Sequence, residues 1–163
     1  MSEIADAIIP VFMEWQNCPL RRIYAYVYMD AAYFNVREYD RIIQKANYST
    51  IRVNLFRQSE VLKIGTGNAE RASYWALILD SLKFRGVDAV LLFAVDGLKG
   101  LLQAIQTVYP NSLIQRCIVH QLRNCFKLVP FKDRHAVGKS MKPIYQASIH
   151  EGAELALDTS QGQ

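Results

Sequence analysis

Two rhythms of apolar and polar positions run along this chain. Residues 1–15 carry Ile4, Ile8 and Val11 or Phe12 at helical spacing with Pro10 late in the segment, which predicts a short helix. Gln16 to Leu20, punctuated by Pro19, reads as loop. From Ile23 to Val36 the run IYAYVYMDAAYFNV is dense in β-branched and aromatic residues, the composition of a strand buried on at least one face. The polar stretch REYDR (37–41) then predicts a reversal into a second strand, in which Ile51, Val53 and Leu55 alternate. A further polar reversal, RQSE (57–60), leads into VLKIG, so three strands joined by short turns predict an antiparallel meander. Gly65 and Gly67 break that pattern.

The rhythm then changes to a period near 3.6. Ala72, Trp75, Ala76, Leu79 and Leu82 mark an amphipathic helix over 70–84, closed by Gly86. DAVLLFAVD (88–96) is almost continuously apolar, as expected of a central strand covered on both faces. A second helix is predicted over 99–108, stopped near Pro110, followed by a strand in SLIQRCIVH and another helix from about Gln121. Beyond it, short helical patterns are interrupted at Gly138, Pro143 and Gly152. The order meander, helix, strand, helix, strand, helix predicts an α/β fold of the ribonuclease H-like kind: a mixed sheet with flanking helices, expected to be incomplete at its C-terminal end. The expected division is an N-terminal helix and linker over 1–20, a partial ribonuclease H-like core over 21–130 and a helical segment over 131–163.

With 163 residues, 51% of them hydrophobic, the chain is long enough for one domain with a real core. Its net charge of +4 permits contact with a polyanion without requiring it. Three cysteines with no CxxC pair suggest neither a disulfide framework nor a four-cysteine zinc site. The acidic residues Glu3, Asp6 and Glu14 argue against a secretory leader, and no segment has the roughly 20 apolar residues of a membrane span. A cytoplasmic location and no membrane partner are expected.

Two aspartates stand out. Asp30 lies inside an apolar strand, where an unpaired charge is costly, so it must be paired, hydrogen-bonded or bound to metal. Asp96 ends the central strand, and the predicted topology sets the two strands side by side. Paired carboxylates suit magnesium, a hard cation that takes one or two of them plus water and phosphate oxygens. Each residue also has a plainer explanation: an edge-strand residue facing water for Asp30, and a turn residue beside Gly97 for Asp96. Lys99, Arg116, Arg123, Lys127, Lys132, Arg134, Lys139 and Lys142 gather in the second half, which makes it a candidate phosphate-facing surface or a scatter of solvated charges. Tyr24, Tyr26 and Tyr28 alternate as core or sheet-face residues.

The stretches WQNCPL (15–20), YMDAAYFNVRE (28–38), FRGVDAVLLFAVDGLKG (84–100), VYPNSLIQRCIVHQLRN (108–124) and KPIYQA (142–147) look like successive blocks of the bacterial mutator-type insertion-sequence transposases. They follow the family's order at nearly its spacing, from about Trp15 to about Leu157, and DGLKG with QRCIVHQLRN is the most specific part. The resemblance implies transposition of an insertion sequence by metal-dependent DNA cleavage and strand transfer. Asp30 would be the first catalytic carboxylate and Asp96 the second, with Mg2+ or Mn2+ between them. Element ends and target DNA are the implied partners, with a homo-oligomer or a mixed oligomer with full-length transposase.

Cys117 and His120 have the C-x-x-H spacing that such proteins carry near their DNA. The family's third carboxylate, a glutamate on a later helix, has no matching motif here, and little of its N-terminal end-recognition region fits before Trp15. Ala32-Tyr33 and Cys18 depart from the usual residues. The expectation is therefore a form truncated at both ends and inactive alone; the alternative is a non-catalytic remnant that binds DNA or mixes into oligomers.

Overall fold

The computed structural model describes residues 3–54, 56–68, 72–97 and 100–161. The chain divides into two compact units, Met1–Arg116 and Cys117–Gln163.

The first unit is built on a five-stranded mixed sheet in the order β3-β2-β1-β4-β5. β1 (Ile23–Glu38), β2 (Arg41–Val53) and β3 (Ser59–Asn68) form the antiparallel meander that alternation and turn residues predict. β4 (Ala89–Val95) and β5 (Leu113–Arg116) then add in parallel on the other side of β1. A parallel neighbour requires a crossover connection, and α2 (Ala72–Phe84) and α3 (Leu101–Val108) supply the two crossovers.

α2 forms because Trp75, Ile78, Leu79 and Leu82 recur at helical intervals, and all four are buried. Val27, Met29, Tyr48, Leu62, Phe93, Val95, Leu101 and Ile105 complete the same core. The helix ends at Gly86, whose φ of 98° is open to glycine at little cost. There the Gly86 N–H donates to Lys83 O at 2.9 Å and the Val87 N–H to Leu82 O at 3.0 Å. This pair of bonds is the Schellman closure, and Leu82 and Val87 both lie in the buried core.

Gly65 and Gly67 do not end β3, which runs through both to Asn68. A Cβ on Gly67 would stand 3.0 Å from the Tyr74 ring, so glycine here lets an aromatic side chain lie against the strand. Tyr74 in turn stacks on Tyr48 at 4.6 Å.

α1 (Glu3–Asn17) continues through Pro10 and buries none of its side chains. Its C-terminal end is tied down by Arg85, which is only 6% exposed. Arg85 Nε donates to Cys18 O at 2.8 Å, Nη2 to Trp15 O at 3.2 Å, and Nη1 to Leu62 O. One guanidinium thus bonds carbonyls of the helix end and of β3, and Trp15 O also accepts from the Cys18 N–H at 3.2 Å.

In the second unit, β5's expected continuation through His120 is replaced by helix. α4 (Ile118–Lys127) starts directly after Cys117 because Ile118, Leu122 and Cys125 fall on one helical face. They line a small cavity with Met141, Ile144 and Tyr145 of α5 (Arg134–Gln146). α5 runs through Gly138 and Pro143, and α6 (His150–Gln161) includes Gly152. Gly138 packs under Phe126, where a Cβ would come within 3.2 Å of the ring. Among the described residues no helix is long and apolar enough to cross a membrane.

Candidate metal centre

The β1–β4 ladder pairs Ile23 with Ala89 and Met29 with Val95, a constant offset of 66 (89 − 23, 95 − 29). One step further along the same offset stand Asp30 and Asp96. Their carboxylate oxygens lie within 4.8 Å of one another. The pair stands one residue past the carboxyl end of the parallel β1–β4 ladder, the kind of edge at which open α/β sheets bind ligands. Ser49 of β2 is directly opposite Asp30 on the other side.

Backbone bonds orient both carboxylates. Asp30 Oδ1 accepts from the Ala31 N–H at 2.8 Å and Asp96 Oδ1 from the Gly97 N–H at 2.6 Å. Asp30 is held within a strand bonded on both sides, and Asp96 is half-buried where β4 ends. Two negative charges this close repel, and a shared cation relieves that repulsion. The donors are hard oxygens, of the number that a small divalent cation takes from protein while keeping sites for water and phosphate. The residues present therefore fit a divalent metal.

The other expected site residues fall as follows. Arg116 ends β5, exposed, and pairs with Val95, so it shares the carboxyl edge with the two aspartates. Cys117 precedes α4 at its N-cap position without a side-chain capping bond, and His120 lies half-buried in the first turn. Arg123 and Lys127 are exposed on α4 four residues apart, on one face, with Lys127 Nζ donating to Asn124 Oδ1 at 2.9 Å. Lys99 lies outside the described residues. No further carboxylate among the described residues groups with Asp30 and Asp96. Ser49 and the extended β1–β2 ribbon are absent from the sequence-based set of site residues, because which residues face each other across strands depends on register. The only available signal was the length of the apolar run around Asp30.

The family model described as "Transposase, Mutator family" matches residues 1–163. A probable transposase for an insertion sequence element of Corynebacterium diphtheriae is 34% identical over 158 residues, covering 97% of this chain and 46% of that protein. The transposase for insertion sequence element ISRM3 of Rhizobium meliloti is also 34% identical, over 97% of this chain and 40% of its own length. The transposase of IS256 in transposon Tn4001 from Staphylococcus aureus is 31% identical over 90% of this chain and 38% of its own length. The chain thus spans less than half the length of these relatives. A chain of the simian T-cell lymphotropic virus intasome superposes with a TM-score of 0.38 at 11% identity over 86% of this chain and 48% of that one, a likeness too low to carry an argument. With a family match along its whole length, this chain belongs to the Mutator family of transposases.

Proposed function

We propose that this chain supplies the two-aspartate part of a transposase active site, in which Asp30 and Asp96 hold Mg2+ or Mn2+ for phosphoryl transfer on insertion-element DNA in the cytoplasm. The observation that carries the reading is the approach of their carboxylates to within 4.8 Å at the carboxyl edge of the sheet. The strand order, an antiparallel meander with two parallel strands added beside β1, supports the assignment to the ribonuclease H-like fold. A divalent cation bound there would neutralise phosphate oxygens and activate a water or 3′-hydroxyl for in-line attack.

The chain's own residues determine where that happens. The N–H groups of Ala31 and Gly97 each engage one oxygen of the neighbouring carboxylate and fix its direction. Arg116 at the same edge is placed to meet a phosphate. Lys99, Arg123 and Lys127 are assigned to DNA contact from the sequence alone. The Cys117–His120 turn is assigned to the vicinity of the DNA by family resemblance. Among the described residues no third acid groups with the two carboxylates, and such a partial site favours metal binding over unaided turnover.

The test is calorimetric titration with MgCl2 or MnCl2 of the natural chain and of an Asp30→Asn, Asp96→Asn variant. Saturable binding by the first and none by the second is expected. Indistinguishable titrations would dismiss the site and leave a non-catalytic module.

A further inference from the structure

We infer that the β1–β2 ribbon beyond Asp30 is an arm that grips duplex DNA away from the metal centre, with Tyr39 at its tip contacting a base and Arg41 and Lys45 contacting phosphates. The inference rests on the nucleic-acid reading above and adds to it a surface and a contact residue.

Among the described residues, β4 pairs with β1 only as far as Met29, and β3 pairs with β2 only from Lys45 onward. From Asn35–Glu38 and Arg41–Gln44 the sheet is therefore reduced to two strands. The eight residues from Asp30 to Glu38 carry the ribbon about 27 Å beyond the aspartate at about 3.4 Å per residue. Its last four residue pairs, Asn35–Glu38 against Arg41–Gln44, are two-stranded over about 14 Å, or roughly four base pairs of duplex, and a two-stranded ribbon is an element that the major groove admits.

The tip is built against local preference. Tyr39 has a φ of 46°, in the left-handed region that favours Asn and Gly, and a two-residue hairpin turn ordinarily places such residues there. Its side chain is 97% exposed. An aromatic held out in solvent on a strained turn gains nothing from the fold, which points to a role in contact with something else.

Alternation puts Ala32, Phe34, Val36 and Glu38 on the Asp30 face, and their β2 partners are Asn47, Lys45, Ile43 and Arg41. The face that holds the candidate metal ligand thus continues into cationic residues toward the tip. The ribbon from Phe34 to Lys45 carries Arg37, Arg41 and Lys45 against Glu38 and Asp40, an excess of one positive charge, with Lys45 bridged to Glu38 at 2.5 Å and Arg37 to Asp40 at 3.6 Å. Cationic excess, an aromatic tip and continuity with a phosphate-handling centre together select DNA as the occupant.

The experiment is fluorescence anisotropy of a labelled 30-base-pair duplex with the whole chain, run across a salt series. Tyr39→Asn removes the ring while placing a residue that tolerates positive φ. Phe56→Ser is the control, because Phe56 is 84% exposed in the turn at the other end of β2. Tyr39→Asn is expected to weaken binding roughly tenfold, the size of one lost interface contact residue, while Phe56→Ser changes it less than about twofold. Arg41→Ala is expected to flatten the salt slope by about one unit. Salt-dependent binding that Tyr39→Asn leaves unchanged overturns the arm alone. Absence of duplex binding by the natural chain overturns both the arm and the nucleic-acid reading. Sedimentation showing that Tyr39→Asn dissociates a dimer at unchanged DNA affinity assigns the tip to a second copy of the chain and likewise overturns the arm.

Discussion

Replacing both aspartates of the candidate site by asparagine should raise the stability of the metal-free protein. The carboxylate oxygens lie within 4.8 Å of one another, so two full charges repel by about 3.5 kcal/mol at an effective dielectric of about 20. Both side chains are partly exposed, and solvent and salt reduce the usable part to about 1 kcal/mol. Asparagine keeps the Oδ1 acceptors used by the Ala31 and Gly97 N–H groups, so the substitution removes charge while those two bonds persist. In EDTA, the Asp30→Asn, Asp96→Asn protein should therefore melt about 4 °C above the natural chain. At magnesium about tenfold above its Kd the order should reverse, because binding adds about 1.4 kcal/mol to the natural chain only. Differential scanning fluorimetry in EDTA and across a magnesium series checks both halves. Equal melting in EDTA together with an equal magnesium response would refute the reasoning.

Arg85→Met removes the donor that serves Cys18, Trp15 and Leu62, and of these the Leu62 bond is the buried one; the expected loss is about 2 kcal/mol, or about 6 °C in Tm, with faster amide exchange at the end of α1. Gly67→Ala forces the Tyr74 ring to move and should cost about 1–2 kcal/mol by urea denaturation. Gly65→Ala, where the nearest ring atom would be an ordinary 3.5 Å away, should be nearly neutral. Burial, together with Asp80 and Asp88, raises the Tyr109 phenol above its ordinary value of 10.0. Tyr109 thus stabilises the fold fully below pH 10.0, and that contribution is lost as pH rises further, because the unfolded chain releases its proton first. Tyr109→Phe should flatten the alkaline limb of a stability–pH curve measured with urea.

Much of this fold is legible in the sequence because burial imposes period. The apolar run 88–96 reads as a strand and forms one, although Leu91 is 59% exposed and its cover is therefore incomplete; Trp75, Leu79 and Leu82 mark the buried face of α2, to which Ile78 adds. Gly65 and Gly67 mislead because their reason lies in Tyr74, a residue of another element. Ile118–His120 read as strand because β-branched residues suit one, yet these residues follow a strand of only four and join a helical face shared with Leu122 and Cys125. The aspartate pair was legible from strand order, which places β4 beside β1. The constant offset that sets Asp30 beside Asp96, and the reach of β1 past its neighbours, depend on register, which sequence pattern alone does not specify.

The most direct test of the central claim is to let the bound metal mark its own position. The protein is loaded with Fe2+ in place of magnesium, treated with ascorbate and peroxide, and the resulting backbone cuts are mapped by mass spectrometry. Cuts concentrated near residues 30 and 96, suppressed by excess magnesium and absent from the Asp30→Asn, Asp96→Asn variant, are the predicted result. Cleavage elsewhere, or cleavage near those residues that survives the double substitution, would contradict a metal centre held by Asp30 and Asp96.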